Sequence, residues 1–485
     1  MNTDPSPLGD VSPDEFRKAA HTAVEWVADY LENPARYPVR SQVAPGDVKQ
    51  SLPASPPQHG ESLAQMMEDF ETKIVPGITH WNNPAFFAYF SITGSYPGII
   101  GELLTAGLNV NGMLWASSPS VTELEEVTLS WLRQLMGLKG EWYGEILDTA
   151  SMSTFYALAA AREALNLDVR TRGLAGRTDI PVLRVYCSEH AHSSIDKAVM
   201  ALGLGHENCV KIGTDADFRL RPDVLRAAIE RDIAAGFLPM AIVATVGTTS
   251  VSSIDPIAVI APIAKEFGCW LHVDGAYGAS AAVVPELRYL LDGTELADSL
   301  VVNPHKWLFT PVDCSVLYIK RPELLKAAFA LLPEYLITSQ ADSVMNLMDY
   351  GIQLGRRFRS LKLWMVMRAF GAEGLAQRIR FHCELAREFA GMVYYEGNWQ
   401  VMAPVTLSLV CFRYAAPDMS EDEIARINSA VMERVNSTGR TFLSHTKVDG
   451  RYMLRLAIGN IRTGREHITL AWQELRSALH ATLTD

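Results

Sequence analysis

The chain is poor in cysteine, and none of its cysteines forms a close pair. The six are Cys187, Cys209, Cys269, Cys314, Cys383 and Cys411. No CxxC occurs, so neither a zinc knuckle nor a dithiol redox motif is signalled. Cys269 and Cys411 lie inside apolar runs (CWLHVD, LVCFRY) and read as small hydrophobes. The N-terminal MNTDPSPLGD has no basic stretch followed by an apolar one, so no secretory signal is read there. A membrane-length apolar run is also missing. The least polar stretch, residues 92–116, is interrupted by Glu102, Asn109, Asn111 and several glycines. Positive charge is in deficit, with 43 Lys+Arg against 55 Asp+Glu and a net charge of −12, which disfavours a nucleic-acid partner. No G-x-G-x-x-G opens a helix, so a Rossmann dehydrogenase is not supported. Internal repeats and low-complexity tracts are absent. Together these absences describe a reduced, cytoplasmic protein that binds neither membrane nor nucleic acid.

What is present is ample core material. Hydrophobic residues make up 48% of 485 residues, enough for more than one domain. Ser12-Pro13-Asp14-Glu15 is a capping box. Phe16, Ala20, Val24, Val27 and Leu31 follow at helical spacing, giving an amphipathic helix with no core of its own to cover. Residues 33–59 are proline-rich and read as an extended connector. From about 120 to 320 apolar runs alternate with helical stretches. The runs are 182–187, 240–246, 270–273, 299–302 and 314–319, and the helices near 155–162, 195–202, 222–235 and 255–267. That alternation implies a mostly parallel sheet wrapped by helices, with ligands beyond the carboxyl ends of its strands. After about residue 365 the alternating runs SLVCFRY and YMLRLAI suit an antiparallel sheet with one covered face. The expected division is an N-terminal helical arm over 1–88, a large α/β domain over 89–363 and a small α+β domain over 364–485.

Two polar landmarks follow buried runs directly: Asp274 after WLHV, and Lys306 within NPHKW. Taken singly each is a weak signal, but on one sheet both emerge at the same edge. With His192 as a third member they suggest one chemistry. A lysine can carry pyridoxal phosphate, a carboxylate can hold its ring nitrogen protonated, and an imidazole can stack on its face. His190 and His192 also form an H-x-H expected on one face of a strand. No third ligand accompanies them, so no metal site is expected.

On these residues the chain resembles the group II pyridoxal-phosphate decarboxylases, most closely the aromatic L-amino acid decarboxylases. The matching segments, in the family's order, are HWNNPAFFAYF (80–90), SPSVTELE (118–125), SEHAHSSIDKA (188–198), TVGTTSVSSID (245–255), WLHVDGAYGAS (270–280), NPHKWL (303–308) and LGRRFRSLK (354–362). The resemblance implies the aspartate aminotransferase-like fold (fold type I), with a seven-stranded central sheet. It also implies an obligate homodimer with shared active sites, clasped by the N-terminal helix.

It further implies roles. Lys306 matches the Schiff-base lysine, Asp274 the partner of the pyridinium nitrogen, Ala276 a residue beside the ring, and His192 the residue stacked over it. Ala150, Ser151 and Asn303 match phosphate contacts, with His305 beside the phosphate and Gly355 reaching the site from the second subunit. Thr149-Ala150-Ser151 precedes a helix, where free N–H groups favour an anion. The Arg356-Arg357 neighbourhood is expected to add positive charge. Thr249 lies near ring and substrate. Tyr335, in LPEYL, matches the family's mobile-loop tyrosine and looks like the proton donor at the substrate's α-carbon.

Aldehyde synthases of the same family replace this tyrosine with phenylalanine, or the stacking histidine with asparagine. Both originals stand here, which favours decarboxylation with aldehyde synthesis as the alternative. Trp81, Tyr89 and Phe90 match the aromatic wall of the substrate pocket. Ser91 follows where animal members have proline, and Asn111 and Met113 replace an isoleucine and a phenylalanine donated across the dimer. Gly355 matches tryptophan-selective plant members, where tyrosine-selective ones carry serine. Tryptophan, DOPA, 5-hydroxytryptophan, phenylalanine and tyrosine remain open as substrates.

Overall fold

Seven short strands carry the central architecture: β1 Tyr143–Leu147, β2 Leu183–Ser188, β3 Cys209–Ile212, β4 Leu238–Thr245, β5 Trp270–Asp274, β6 Ser299–Val302 and β7 Ser315–Ile319. They form one sheet in the order β1-β7-β6-β5-β4-β2-β3 in the computed structural model, which describes residues 10–331 and 344–484. Strands β2 to β6 pair in parallel. β7 runs against both of its neighbours, so β1 points the same way as the parallel set. β4, β5 and β6 are buried almost throughout, as expected for strands covered on both faces.

Two strands escaped the sequence pattern, both at sheet edges. In β1 (YGEIL) and β3 (CVKI) a charged residue interrupts the apolar run, because one side of an edge strand meets other surroundings. The helix following β1 also begins earlier than the pattern suggested. It spans Ala150–Glu163, because its first turn, Ala-Ser-Met-Ser, is small and shows no apolar period. Thr149-Ala150-Ser151 is therefore the helix start itself. Further helices are Ser194–Ala201, Pro222–Ala234 and Ile257–Glu266, the last ending before Gly268 at φ +65°.

A second sheet has β8 Trp399–Val401, β9 Leu409–Tyr414, β10 Ser444–Val448 and β11 Arg451–Ala457, antiparallel in the order β10-β11-β9-β8. Helix Glu421–Ser437, opened by a complete Ser420/Glu423 capping box, and helix Arg465–Thr484 pack on it. The fully buried Phe412 and Phe389 lie between, each contributing about 2–3 kcal/mol by burial. Residues 85–88 join this body. Phe87 N–H donates to Phe442 O at 2.9 Å, and Ala457 N–H donates to Phe87 O at 2.9 Å. Helix Arg359–Tyr394 crosses the 363/364 position and is interrupted at Gly371, whose φ of 63° leaves the helical region.

At the N-terminus the helix Pro13–Glu32 begins as its capping residues predict, with Ser12 Oγ accepting from Glu15 N–H at 3.2 Å. The stretch 33–59 is less extended than its prolines suggested. A 3₁₀ turn Pro34–Arg36, whose proline suits a first helical turn, and a helix Asp47–Ser51, which follows Gly46, punctuate it. Among the described residues no helix is long and apolar enough to cross a membrane.

Candidate active site

Because β1, β2, β4, β5 and β6 point the same way, the segments leaving their carboxyl ends meet at one sheet edge. They enclose a cavity of about 230 Å³. β1 delivers Thr149, Ala150 and Ser151, β2 delivers His192 and Ser194, and β4 delivers Thr245, Gly247 and Thr249. β5 delivers Asp274, Ala276 and Tyr277, and β6 delivers Asn303, His305 and Lys306. Phe90 closes one wall.

Lys306 sits in a four-residue helical turn, Pro304–Trp307, and its N–H donates to Asn303 O at 2.9 Å. Burial pushes its amine below the usual lysine range, with Asp274 opposing the shift. A larger share of neutral, nucleophilic amine results. Asp274 Oδ1 accepts from Ala276 N–H at 3.1 Å, and Ala276 O accepts from Asn303 N–H at 3.1 Å. Carboxylate, small ring-side residue and lysine segment are thus tied in sequence. Beneath them, Phe90 stacks on Tyr277 at 3.8 Å and Tyr277 on Trp307 at 4.7 Å. Lys306 Nζ lies 5.7 Å from the Phe90 ring centre.

The carboxylate has its own support. Trp270 Nε1–H donates to Ser299 Oγ at 2.8 Å, and the same hydroxyl contacts His272 Nδ1 at 2.8 Å. The fully buried His272 is held neutral, its pKa pushed down to about 4 by burial, two residues before Asp274 on the same strand face. At the neighbouring strand end, Asp255 accepts N–H groups from Thr245 and Leu220, each at 2.8 Å. Gly247, at φ +87°, then turns the chain past Gly278, where a Cβ would stand 2.5 Å from Val246 O. Only glycine allows that approach.

The opposite end of the cavity is built for an anion. The first turn of Ala150–Glu163 presents backbone N–H groups at its positive dipole end. His305 Nδ1 accepts from Cys314 N–H at 2.8 Å, which leaves Nε2–H as the donor, and burial holds the ring neutral with its pKa down to about 3. Asn303 Oδ1 and Thr245 Oγ1 are buried without a partner. An aromatic ring bearing a phosphate, a ring nitrogen and a carbonyl fits these groups. The helix start and His305 suit the phosphate, Asp274 the nitrogen and Lys306 the carbonyl carbon.

His192 Nδ1 accepts from Ser194 N–H at 3.1 Å and contacts Ser194 Oγ at 2.9 Å, so the ring is oriented from below. The expected H-x-H strand face is not formed. β2 ends at Ser188, a turn follows, and His190 instead contacts Thr214 Oγ1 at 3.4 Å. Within one chain Arg356 and Arg357 lie apart from the cavity. Buried Arg356 lies 3.1 Å from Glu125 and 3.5 Å from Glu145, and Arg357 lies 2.7 Å from Glu102. Carboxylates pair with both guanidinium groups, while Arg356 Nη1 is buried without a partner.

The cavity therefore gathers Phe90, Ala150, Ser151, His192, Thr249, Asp274, Ala276, Asn303, His305 and Lys306. Trp81 and Tyr89 stack on each other at 5.6 Å outside it, with Tyr89 about half exposed. Ser91 is buried, its hydroxyl donating to Phe86 O at 3.4 Å. Asn111, Met113 and Gly355 lie apart from the cavity on a segment pair joined by Arg356 N–H to Asn111 Oδ1 at 2.9 Å. Tyr335 falls outside the described residues.

Sequence reasoning missed Arg455. Its guanidinium donates to Thr249 O at 2.6 Å, Ser250 O at 3.0 Å and Ser444 Oγ at 2.9 Å, and lies 5.6 Å from the Phe90 ring centre. It reaches the site from β11, and its only signal was a charge inside the apolar run YMLRLAI. Ser194, Thr245, Gly247 and Tyr277 were missed as well, although each lies in or beside a segment that drew attention.

The model of the pyridoxal-dependent decarboxylase conserved domain matches residues 45–415. Phenylacetaldehyde synthase of Arabidopsis thaliana is 40% identical over 476 residues, covering 96% of each chain. Tyrosine decarboxylase 4 of Petroselinum crispum is 39% identical, covering 99% of this chain and 96% of its own. Oryza sativa TDC, solved with PLP and tryptamine, superposes with a TM-score of 0.93 at 36% identity, covering 98% of this chain and 99% of its own. With cavity, donor set and likeness in agreement, the chain belongs to the pyridoxal-dependent decarboxylases, with pyridoxal phosphate as its cofactor.

Proposed function

We propose that the enzyme decarboxylates an aromatic L-amino acid to the corresponding amine and CO2. Tryptophan, DOPA, 5-hydroxytryptophan, phenylalanine and tyrosine are the candidate substrates. The observation that carries the reading is one cavity holding a buried, low-pKa Lys306 beside Asp274 and walled by Phe90. Bound pyridoxal phosphate supplies the electron sink for the pair released as CO2 leaves.

The chain's own residues supply the rest. Lys306 offers an amine that burial keeps reactive. Asp274 holds a proton at the cofactor's ring nitrogen, steadied by Ala276 N–H. His192, oriented by Ser194, covers the ring. Ala150, Ser151, Asn303 and His305 hold the phosphate, with Gly355 contributed by a second copy. Tyr335 gives the proton to the substrate's α-carbon. Trp81, Tyr89, Phe90, Ser91 and Thr249, with Asn111 and Met113 of the second copy, form the substrate wall.

Two copies are needed on this reading, and surface chemistry supports them. Helix Tyr96–Leu108 leaves Tyr96, Ile100, Leu103, Leu104 and Leu108 about half exposed, and the N-terminal helix leaves Phe16 and Val24 so. Apolar rows of this kind mark an interface, here a homodimer clasped by the 1–88 arm. The division at 88 and 363 and a cytoplasmic location belong to the same proposal.

The likeness to phenylacetaldehyde synthase favours one second reading, oxidative aldehyde formation. Tyr335 and His192 weigh against it. A panel of aromatic amino acids with products identified by mass decides. Amine and CO2 in equal amounts are expected. Aldehyde with ammonia and peroxide would establish the alternative, and no product from any of them would overturn both.

A further inference from the structure

Cys187 and Cys209, distant in sequence, are brought together by the sheet. β2 and β3 run parallel with Val185 opposite Cys209 and Cys187 opposite Lys211, so both thiols and the lysine share one face. Cys187 Sγ stands 3.8 Å from Cys209 Sγ, and Lys211 Nζ stands 3.5 Å from Cys187 Sγ. Asp196, on the helix Ser194–Ala201, holds that ammonium at 2.9 Å. Among the described residues this is the one pair of cysteine sulfurs in contact. β3 is an edge strand, so it has one partner to yield against.

We propose that Cys187 and Cys209 form a peroxide-sensitive dithiol, whose oxidation to a disulfide lowers the enzyme's activity. Cys209, at the start of β3, is the slightly exposed member, and the S–H of Cys187 together with the Lys211 charge lowers its pKa. Its thiolate attacks a hydroperoxide oxygen. The O–O bond breaks, a sulfenic acid forms and hydroxide leaves. Cys187, whose pKa the Cys209 contact and burial raise against the pull of Lys211, then gives its proton to the hydroxide released, attacks that sulfur and expels a second hydroxide. The two thiol protons neutralise both, so two thiols and one hydrogen peroxide give one disulfide and two waters.

Diagonal neighbours across two strands are farther apart than the opposed pairs that bridge without strain. Closing the bond therefore draws β3 along β2 and leaves it easily reduced. The path to the site is short. Lys211 is ion-paired to Asp196, two residues beyond the Ser194 that orients His192.

Holoenzyme is treated with a small excess of hydrogen peroxide, alkylated, digested and mapped by mass, with turnover measured in parallel. A peptide joining Cys187 to Cys209, lighter than the pair by two hydrogens, is expected. Turnover should fall about fivefold or more, the low end of ordinary site-to-site coupling, and return with dithiothreitol. Cys209→Ser and Cys187→Ser should each keep basal turnover and resist peroxide. Both thiols remaining alkylatable, or turnover holding while the cross-link forms, overturns the proposal. The mapping on the unsubstituted enzyme stands even where a variant fails to fold.

Discussion

The cofactor end of the molecule and the substrate wall differ in how completely one chain builds them. Around Lys306 every wall but Phe90 comes from one sheet edge, and Asp274, His192 and His305 each have an orienting partner. Around Trp81 and Tyr89, two aromatic rings stack with Tyr89 about half exposed, and Asn111 and Gly355 sit exposed on a separate pair of segments. The first region is assembled mainly within one chain. On the two-copy reading proposed above the second is half a site, which is why substrate choice is harder to read than cofactor choice. The widest break in the comparison comes at its cofactor end. Lys306→Ala should abolish amine formation and the visible absorbance of bound cofactor, while leaving the thermal midpoint of the cofactor-free protein nearly unchanged. Retained turnover would remove Lys306 from the chemistry.

This contrast also explains what could be read from sequence. Strands buried on both faces, such as MAIVATV, declare themselves by continuous apolarity, and the residues directly after them, Asp274 and Lys306, are placed by that alone. Edge strands β1 and β3 did not, since Glu145 and Lys211 sit on them for tertiary reasons. Arg455 was invisible because it acts from 149 positions beyond Lys306, through backbone carbonyls that no spacing foretells. Arg356 shows the opposite case. Its charge is plain in sequence, but Glu125 and Glu145 that neutralise it are not adjacent.

The next test bridges the two regions. Tyr335→Phe removes the proposed proton donor and keeps the ring, so amine formation should fall about 10²- to 10⁴-fold, with aldehyde as the main remaining product. Product analysis by mass checks it, and an unchanged amine yield would assign protonation elsewhere. A smaller effect belongs to the half-built region. Leu103→Glu, on the exposed row of helix Tyr96–Leu108, should weaken dimerisation about 30-fold or more, as loss of a central interface contact does. Light scattering and turnover should fall together with dilution. A variant that stays dimeric and active would place the interface on another face.

The smallest effect on activity, and the finest probe of how the two regions are joined, concerns Glu145. Arg356, the neighbour of Gly355, is buried between Glu125 and Glu145, and its guanidinium also donates to Ile146 O at 2.7 Å. One cation cannot satisfy two buried carboxylates, and burial together with Glu125 pushes Glu145 up to about 7 against the pull of Arg356. The folded state therefore holds a proton that the unfolded chain releases near its ordinary 4.5. Stability from this group is complete below that value and is lost as pH rises through about 7. Glu145→Gln keeps a neutral side chain at every pH and removes that dependence. Chemical denaturation across pH 5 to 8 should show the natural enzyme losing about 3 kcal/mol relative to the variant by pH 8, with turnover little changed at pH 6. Parallel stability curves would mean that Glu145 is already ionised. The anchor of the Gly355 segment would then be a full double ion pair, with no proton held between the two carboxylates.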